Sequence, residues 1–591
     1  MNIIGISAYY HDSSAVLVVD GKVIAAAQEE RFSRIKHDSS FPSKACRFCL
    51  EFANISINEI DAFVFYEKPL LKFERILESM IASAPISLKQ FVKVMPIWLK
   101  DKLNMRSLIK KELKKEFGQC KPIIKFVEHH LSHAAFAFYT SGFKSSSILV
   151  MDAVGEWATT SLFKASDNTI TLLKEQHYPN SVGLLYSSFT YFLGFQVNSD
   201  EYKVMGLAPY GFRNSSETEQ FIRLIKDEIV SINDDGSIKL NLNYFEFQYG
   251  FKMIKSNKWE RLFGISKRIP GSKISQSHCN LALAIQTVTE EIAERMTKEL
   301  SRLTKDKNLC ISGGTALNCS MNGKLKQMNL FDNIYIPCSP GDGGGSIGAA
   351  LAYSYLNTSP QNKERNQSPY LGPLYKNDDI KDLLVFNSLE YTFIDDENEL
   401  CSTIANYLSQ GKIIGWFQGR MEFGPRALGN RSIIADCRYP DMKDRINASI
   451  KFREGFRPFA PTVLEDHKQE LFNMDFESPY MMFTTSISSQ IRKEYARGND
   501  FTNDINSELS SIPAVTHIDY SARVQTLREE DNPLFYKLIS TYYRNTGCPA
   551  ILNTSFNVMG EPIVCSPKDA IDTFNKSGIE ILVLGNYILK K

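Results

Sequence analysis

The alternation of hydrophobic and polar positions at the N-terminus predicts the start of an α/β domain. Residues 2–8 and 15–19 are short apolar runs, and the pair Asp20-Gly21 leads into a third run at residues 22–27. An Asp-Gly pair between two such runs favours a tight hairpin turn. We therefore expect three antiparallel strands in succession.

The same succession of strands and turns appears a second time. An apolar run at residues 147–151 ends in an aspartate, and further runs follow at residues 159–163 and 169–173. In both copies, polar residues follow the first strand, at positions 11–14 and 152–156. We expect an internally duplicated domain, and its polar turns resemble the nucleotide clamp of actin, sugar kinases and heat-shock chaperone ATPases.

A helix-rich segment at residues 67–118 separates the two copies, and residues 280–305 have the periodicity of a long helix. After that helix, a short apolar run at residues 309–312 leads into a glycine-rich turn and a new helix. Backbone N–H groups and the helix dipole converge at such a turn, which suits a phosphate or a ribose. The candidate nucleotide ligands of this turn are Gly313, Gly314 and Asn318.

A polar, proline-bounded stretch at residues 357–369 predicts a linker. Two domains are thus expected, one at residues 1–365 and an α/β domain at residues 366–591. The expected elements of the second domain are strands at residues 412–417, 550–552 and 579–583 and a polar loop at residues 494–511.

Composition narrows the class of protein. The chain has 591 residues, of which 43% are hydrophobic and 23% charged, so it can bury several cores and is expected to be globular. With 68 basic against 67 acidic side chains, the net charge of +1 gives no overall attraction to nucleic acid or to an anionic membrane. No apolar run approaches the roughly 20 residues that span a bilayer, and the start of the chain lacks the pattern of a signal peptide. We therefore expect a cytoplasmic protein without a nucleic-acid or membrane partner.

The eleven cysteines are dispersed along the chain, which is typical of reduced structural thiols rather than of a disulfide framework. Cys46 and Cys49 form the one close pair in the sequence. A zinc site would need a second pair at a suitable spacing, and the sequence has none. We therefore expect this pair to be structural.

Two histidines and two aspartates predict a metal site. His129 and His133 are four positions apart, on one face of a predicted helix, where both imidazoles can reach one cation. Asp152 ends a strand of the second copy, and Asp342 lies in a glycine-rich stretch where backbone can approach a ligand closely. Two histidines with one or two carboxylates suit Fe(II), Mn(II) or Zn(II). For the histidine pair taken alone, hydrogen-bonded core residues are the alternative.

Cationic side chains concentrate in the second predicted domain, at residues 419–432 and 451–461, among glycine, aromatic and proline residues. Arginine side chains held rigidly in such surroundings can grip phosphate or carboxylate oxygens. We interpret the cluster as an anion pocket, with a salt-bridged surface as the alternative. Short polar side chains at residues 516–526 and 553–557 are suited either to orient a ribose, carbonyl or phosphate or to serve as turn residues.

Together these motifs resemble those of the O-carbamoyltransferases that modify nodulation factors, cephalosporins, aminoglycosides and guanidine toxins. The likeness runs along nearly the whole chain, and its motifs are specific as a set. They are residues 10–15 (YHDSSA), 29–37 (EERFSRIKH), 129–133 (HHLSH), 202–209 (YKVMGLAP), 424–429 (GPRALG) and 553–557 (NTSFN).

The resemblance implies two domains and two reactions. The N-terminal domain would be similar to the metal-binding tRNA threonylcarbamoyl transferase, and the C-terminal domain would be YrdC-like, similar to the enzyme that makes threonylcarbamoyl-adenylate. In the C-terminal domain, carbamoyl phosphate and ATP, with Mg(II), would give carbamoyl-adenylate. In the N-terminal domain, a hydroxyl of a small-molecule acceptor would take the carbamoyl group. Fe(II) is the implied metal and another divalent metal stays open, as do the acceptor and a homodimer.

The resemblance also assigns roles to residues. The metal ligands of the family fall on His129, His133, Asp152 and Asp342. His11 matches the residue that acts on the acceptor hydroxyl, and Lys36 lies in a matching active-site segment. The segments that line the adenylate-forming pocket of the family contain Arg426, Lys451, Arg453, Arg457, Arg523 and Ser555. Two further candidates for binding nucleotide or carbamoyl phosphate come from the polar runs at residues 516–526 and 553–557, namely His517 and Asn553.

Two positions depart from the family pattern. Ala153 follows Asp152 where the family commonly has glycine, and Cys437 stands in residues 436–438 where the family has Asp-Pro-Arg. The first lies in the turn that holds a predicted metal ligand, and the second lies in the loop beside the predicted anion pocket.

Three other functions stay open. A sugar-kinase-type phosphotransferase would share the nucleotide architecture but would have no use for the histidine pair and the cationic cluster. A non-catalytic, nucleotide-dependent binding protein would need neither set. A tRNA threonylcarbamoyl-type transferase is the nearest alternative, and the near-neutral charge with no evident basic face in the sequence counts against it.

Overall fold

The computed structural model of the chain describes residues 1–98, 103–358, 368–498 and 500–591. Most of the linker expected at residues 357–369 lies outside the described residues. The strands and helices given below are those of the described part of the chain.

Short strands alternate with helices along the described residues. The strands are β1 (Asn2–Ser7), β2 (Ser14–Val19), β3 (Lys22–Gln28), β4 (Ala62–Phe65), β5 (Ile124–Phe126), β6 (Ser145–Met151), β7 (Ala158–Ser166), β8 (Thr169–His177), β9 (Val230–Ile232), β10 (Ile238–Leu240), β11 (Asn308–Ser312), β12 (Asn333–Tyr335), β13 (Thr392–Phe393), β14 (Ile414–Phe417), β15 (Arg431–Ala435), β16 (Ala460–Leu464), β17 (Thr484–Ser486), β18 (Ser521–Arg523), β19 (Gln525–Leu527), β20 (Ala550–Ser555), β21 (Ile581–Leu584) and β22 (Tyr587–Lys590). The α-helices are α1 (Glu30–Ser33), α2 (Ser43–Ala53), α3 (Pro69–Ala82), α4 (Leu88–Ile97), α5 (Met105–Phe117), α6 (His129–Thr140), α7 (Val182–Phe192), α8 (Glu201–Leu207), α9 (Ser216–Leu224), α10 (Ser256–Phe263), α11 (Gln276–Thr304), α12 (Cys319–Gln327), α13 (Gly345–Thr358), α14 (Asn377–Phe386), α15 (Glu397–Ser409), α16 (Met442–Ile446), α17 (Lys468–Leu471), α18 (Pro533–Thr546) and α19 (Pro567–Lys576).

The chain folds into two compact units. The first unit contains Met1–Glu29 and Ser39–Gln367, and the second contains Glu30–Asp38 and Ser368–Lys591. The sequence-based boundary at residue 365 differs from this division at residues 30–38, which precede most of the first unit in sequence but belong to the second. Arg31 and Arg34 in this segment form hydrogen bonds with carbonyl groups at least 393 residues later in the chain. A local hydrophobic pattern cannot predict contacts over such a distance.

Both predicted copies in the first unit fold into five-stranded sheets of one topology. One sheet has the order β3-β2-β1-β4-β5, and the other has the order β8-β7-β6-β11-β12. In each sheet the first three strands in sequence are antiparallel neighbours, and the last two extend the sheet in parallel with the first. The predicted α/β class and internal duplication are therefore confirmed.

The predicted hairpin between β2 and β3 is also present. Asp20 and Gly21 have φ angles of 49° and 82°, which are the left-handed values of the two-residue turn that matches the twist of antiparallel strands. The turn fixes the register of Val19 opposite Lys22.

Helix α13 packs directly against α6 and β1 because glycines remove the side chains at both contacts. A Cβ at Gly348 of α13 would lie 1.7 Å from the carbonyl oxygen of Ser132 in α6. A Cβ at Gly5 of β1 would lie 2.0 Å from the carbonyl oxygen of Ser346 in α13. These contacts fix where the start of α13 lies relative to α6.

An eight-stranded mixed sheet forms the centre of the second unit, in the order β13-β22-β21-β14-β15-β20-β16-β19. The strands expected at residues 412–417, 550–552 and 579–583 are present as β14, β20 and β21. Buried aromatic side chains, among them Trp416 and Tyr542, form part of the core around this sheet. The second unit is therefore α/β, as the sequence predicts.

The polar stretch at residues 494–511 is a loop, as expected, in the part that is described. It is organised around Asp504, whose buried carboxylate accepts hydrogen bonds from the hydroxyl of Tyr495 at 2.6 Å and from the N–H of Gly498 at 2.8 Å.

All eleven cysteines are free and buried. Cys46 and Cys49 lie on α2, and the Cys49 thiol donates to the carbonyl oxygen of Ala25 at 3.5 Å. These contacts fit the structural use expected for the pair. None of the described helices combines the length and the apolar character needed to cross a membrane.

Replacing Gly348 by alanine is expected to destabilise the first unit, because the added methyl group would overlap the carbonyl oxygen of Ser132. We expect a loss of about 1–3 kcal/mol, the usual cost of overpacking, seen as a lower Tm in calorimetry. Gly206→Ala in α8 is the matched control, since a Cβ there meets no described atom within 4 Å apart from its chain neighbours and the backbone of its own helix. Equal Tm values for the two variants would contradict the close contact between α6 and α13.

Candidate active sites

The first turn of α6 brings two histidines of the first unit together. His129 and His133 lie one helical turn apart, and their Nε2 atoms are 3.1 Å from each other. Two imidazole nitrogens bound at right angles to one cation, each at about 2.1 Å, would be about 3.0 Å apart. The spacing of the pair therefore fits a shared cation, as the sequence predicts.

Two carboxylates complete the set. Oδ2 of Asp152 lies 2.8 Å from Nε2 of His129, and Oδ1 of Asp342 lies 3.5 Å from the same nitrogen and 3.6 Å from that of His133. One donor atom from each of the four residues lies within 4.8 Å of every other, and all four residues are buried. We call these residues the four-ligand set.

The charges within the four-ligand set favour a positive charge between its members. Burial alone would raise the pKa of Asp152, but a hydrogen bond from His129 at 2.8 Å and the imidazole of His133 at 3.7 Å hold it well below its ordinary value. Burial alone would lower the pKa of His133, but the two carboxylates raise it to about 9. A donor set of two imidazole nitrogens and two carboxylate oxygens fits a divalent Fe, Mn or Zn ion.

Backbone N–H groups orient the Asp152 carboxylate. Its Oδ1 accepts from the N–H of Ala153 at 2.8 Å and from the N–H of Gly314 at 3.2 Å, which leaves Oδ2 toward the histidines. Ala153, the departure from the family pattern, thus provides the same backbone donor that a glycine would. The glycine-rich turn at residues 313–318 was predicted to bind a nucleotide. In this structure the N–H of Gly314 in that turn binds the carboxylate of Asp152.

Gly313 and Asn318 also have structural partners. Gly313 has a φ of 90°, and a Cβ there would lie 2.2 Å from the carbonyl oxygen of Met151. Asn318 caps α12, because its Oδ1 accepts from the N–H of Met321 at 3.0 Å, and its amide also bonds to Gln286. Their predicted contact with a nucleotide stays a prediction.

Glu156 is a residue of this site to which the sequence analysis gave no role. Its buried carboxylate accepts from the N–H of His129 at 3.0 Å and from the N–H of Lys68 at 2.7 Å, so it anchors the first turn of α6. Glu156 lies in the polar turn at residues 152–156 that marks the second copy. Its partner His129 lies 27 residues earlier in the chain, so the local sequence pattern carries no signal for this contact.

His11 lies at the edge of the four-ligand set. Its Nδ1 is 3.0 Å from Oδ2 of Asp12, and its Nε2 is 3.7 Å from Oδ2 of Asp342. Burial would lower the pKa of His11, but Asp342 and Asp12 raise it to about 9. The two carboxylates therefore favour the doubly protonated, positively charged imidazole at neutral pH. A cation beside Asp342 would oppose this effect of the carboxylates.

A second site is built in the second unit around Lys451. The residue ends a π-helical turn at Asn447–Lys451, and Phe452 follows with a left-handed φ of 44°. The buried ammonium donates to the Oγ of Ser555 at 3.2 Å, to Oδ1 of Asn557 at 2.8 Å and to the carbonyl oxygens of both residues. Irregular helical turns of this kind are frequent at functional sites.

Like charges surround Lys451. Burial, followed by the charges of Arg453, Arg457 and Lys36, holds the pKa of Lys451 well below its ordinary value. We call these four residues the Lys451 cluster. The Arg453 guanidinium lies over the ring of Phe459 at 4.4 Å, and Arg457 has Glu454 3.8 Å away. The predicted residues Lys36, Lys451, Arg453, Arg457 and Ser555 are thus brought together.

A buried amide network holds the loop that carries Arg426. The Asn553 Nδ2 donates to the carbonyl oxygen of Ala427 at 3.3 Å and to side-chain oxygens of Thr462 and Gln525, each at 3.0 Å. Asn553 thereby fixes the residue next to Arg426, which is half-buried. In this structure Asn553 acts on the loop, and its predicted contact with a ligand stays a prediction.

The last two predicted residues lie in and next to the two-stranded sheet of β17 and β18. Arg523 ends β18, two residues before β19, and pairs in register with Thr484. His517 is buried, and its Nδ1 accepts from the N–H of Ile518 at 2.7 Å. Asn557, which bonds to Lys451, lies in the NTSFN motif at residues 553–557 but was not among the predicted site residues.

Comparison with known proteins gives matches over most of the chain. The family described as Carbamoyltransferase N-terminus matches residues 2–351, and Carbamoyltransferase C-terminus matches residues 405–591. An uncharacterized protein of Synechocystis sp. is 45% identical over 610 residues, covering 100% of this chain and 97% of the relative. The nodulation protein NolNO of Sinorhizobium fredii is 36% identical over 590 residues, covering 99% of this chain and 80% of the relative. The 3'-hydroxymethylcephem-O-carbamoyltransferase of Amycolatopsis lactamdurans is 31% identical over 315 residues, covering 53% of this chain and 54% of the relative.

These matches define an enzyme of the transferase class. More narrowly, the chain belongs to the carbamoyltransferase family, and relatives of that family are named as O-carbamoyltransferases. The resemblance drawn from the sequence motifs is confirmed.

His133→Asn is expected to reduce metal binding, because it removes a donor atom from the four-ligand set. We expect the affinity for Fe(II) to fall by at least about tenfold, because even the loss of a residue that only hydrogen-bonds to a metal ligand typically has an effect of that size. The measurement is metal per chain by mass spectrometry after anaerobic titration, repeated with Mn(II) and Zn(II). His177→Asn is the control, since that histidine is exposed and bonds to Glu175. Equal metal content in both variants would rule the site out.

Proposed function

We propose that the protein is an ATP-dependent O-carbamoyltransferase. It activates carbamoyl phosphate as carbamoyl-adenylate and then passes the carbamoyl group to a hydroxyl of a small molecule. The observation that supports the activation step is the Lys451 cluster, in which Ser555 and Asn557 fix a buried lysine amino group whose pKa is lowered by burial and by the charges of Arg453, Arg457 and Lys36. Such an arrangement is unfavourable by itself and becomes favourable when it binds a ligand with several negative charges.

We place adenylate formation in the second unit. Water cleaves carbamoyl phosphate to carbamate and phosphate, and a carbamate oxygen then attacks the α-phosphorus of ATP. A new P–O bond forms, the bond to pyrophosphate breaks, and carbamoyl-adenylate results. Arg453 and Arg457 present guanidinium groups that can bind phosphate oxygens in pairs. Lys451, fixed by Ser555 and Asn557, adds a charge at a defined point. ATP is expected to enter with Mg(II), which shields its phosphates.

We place carbamoyl transfer at the four-ligand set and His11 in the first unit. The acceptor oxygen attacks the carbamoyl carbon, its proton passes to Nε2 of His11, and the C–O bond to AMP breaks. A divalent ion beside Asp342 would offset the carboxylates that raise the pKa of His11, and a single proton on Nδ1, donated to Asp12, would then leave the Nε2 lone pair available for this role. A divalent ion in the set, which we propose to be Fe(II), would supply a Lewis acid beside His11.

The acceptor is proposed to be a small molecule with an exposed hydroxyl. The name of the Amycolatopsis lactamdurans relative gives a hydroxymethyl group as the acceptor in that enzyme. The balance of 68 basic and 67 acidic side chains in this chain favours a small acceptor over a nucleic acid.

Lys451→Met is expected to abolish most adenylate formation, because it removes a charge that faces the phosphates. Wild-type protein loaded anaerobically with Fe(II) should release pyrophosphate from ATP only when carbamoyl phosphate is present, as followed by phosphorus NMR. We expect the rate in the variant to fall by about 100-fold or more, the usual effect of losing a charge-stabilising group. Lys443→Met is the matched control, because that lysine, eight positions earlier, bonds to the carbonyl oxygen of Ile505 instead.

Two results would overturn the proposal. ADP formed without any need for carbamoyl phosphate would indicate a kinase. Equal pyrophosphate release by the Lys451→Met and Lys443→Met variants would show that the Lys451 cluster takes no part in the reaction.

A further inference from the structure

Residues 30–38 are far in sequence from the rest of the second unit, yet side chains of this segment bind its loops. The Nη2 of Arg31, in the short helix α1, donates to the carbonyl oxygen of Gly424 at 2.7 Å. Gly424 begins the loop that carries Arg426, and Arg31 is almost fully buried. One end of the segment is therefore attached beside a predicted residue of the anion site.

Arg34 attaches the segment to a second loop. Its Nη1 donates to the carbonyl oxygen of Ile563 at 2.7 Å, and its Nη2 donates to that of Pro562 at 2.9 Å. Its Nε is 3.6 Å from Oδ1 of Asp569, at the start of α19. One planar guanidinium thus contacts two successive carbonyl groups and a carboxylate, an arrangement that the single nitrogen of a lysine cannot reproduce.

The loop that Arg34 holds is the loop that holds Lys451. The amide nitrogen of Asn557 donates to the carbonyl oxygen of Glu561 at 2.7 Å, and the N–H of Val564 donates to the carbonyl oxygen of Phe556 at 2.9 Å. These bonds make residues 556–564 a closed turn. On its other side, Oδ1 of Asn557 accepts from Lys451. Hydrogen bonds linked by single peptide bonds therefore join Arg34 to Lys451.

Lys36 follows Arg34 by two residues. It is exposed, and its charge acts on Lys451. The backbone between the two residues is short, so the position of the Arg34 guanidinium restricts where the Lys36 ammonium can lie.

We propose that Arg34 is a positioning residue of the anion site. By binding the carbonyl groups of residues 562 and 563, it fixes Lys36 on one side and the loop that holds Lys451 on the other. The site in the second unit is thus assembled from residues 30–38 as well as from the C-terminal part of the chain. This inference rests on the proposed function, because it assigns Arg34 a role in binding carbamoyl phosphate.

The test is the kinetics of pyrophosphate release by the full chain, with carbamoyl phosphate as the varied substrate. For Arg34→Ala and Arg34→Lys we expect KM for carbamoyl phosphate to rise at least tenfold. Arg47→Ala is the matched control, because Arg47 also joins distant segments through a carboxylate and a carbonyl group, those of Glu116. Its KM should equal that of the wild type.

A double-mutant cycle tests whether Arg34 acts through its neighbours. We expect the combined loss in kcat/KM for Arg34→Ala with Lys36→Met to be smaller than the product of the two single losses. Added ethylguanidinium should lower the KM of Arg34→Ala toward the wild-type value, because it can replace the missing donors.

Several outcomes would overturn the inference. A purely structural role would lower kcat by reducing the active fraction and leave KM unchanged in both Arg34 variants. Independent losses in the cycle, together with no rescue by ethylguanidinium, would also refute it. If wild-type protein releases pyrophosphate and these results follow, the inference alone fails. If wild-type protein releases none, the proposed function fails and the inference fails with it.

Discussion

The close approach of backbone between α6 and α13 is the constraint on which the four-ligand set depends. The histidines lie on α6, and Asp342 lies just before α13, so the distance between the two helices sets the distance between their donor atoms. That approach requires glycine at position 348, where a Cβ would lie 1.7 Å from a carbonyl oxygen. A fully buried contact without any polar side chain therefore governs the geometry of the four-ligand set a few residues away.

The two candidate sites present opposite charges. Asp152 and Asp342 are buried with two histidines, and Lys451 is buried near cations that are themselves partly or fully exposed. Each set contains like charges that repel in a poorly solvated setting, so each is more stable with a ligand of the opposite sign. Such arrangements are more typical of ligand-binding sites than of residues that only stabilise a fold, and they are the physical basis for proposing a cation at one set and an anion at the other.

Local patterns in the sequence were enough to predict the repeated strands, the Asp20-Gly21 hairpin and the histidine pair, because each depends on neighbours within a few positions. The convergence of Asp152 and Asp342 on that pair was expected from their strand-end and glycine-rich contexts. The roles of Gly314 and Asn553 were not predictable, because their partners, Asp152 and Ala427, are more than a hundred residues away. The attachment of residues 30–38 to the second unit depends on arginine–carbonyl hydrogen bonds, which leave no periodic signal in either partner.

Because residues 30–38 belong to the second unit, they are synthesised long before the rest of that unit. This segment leaves the ribosome before almost all of the first unit, whereas the carbonyl groups that bind Arg34 are made more than five hundred residues later. The first unit can pack its two sheets while the segment between β3 and α2 still lacks its partners. The proposed anion site therefore forms only near the end of synthesis, and a chain truncated before residue 562 lacks the carbonyl groups that bind Arg34.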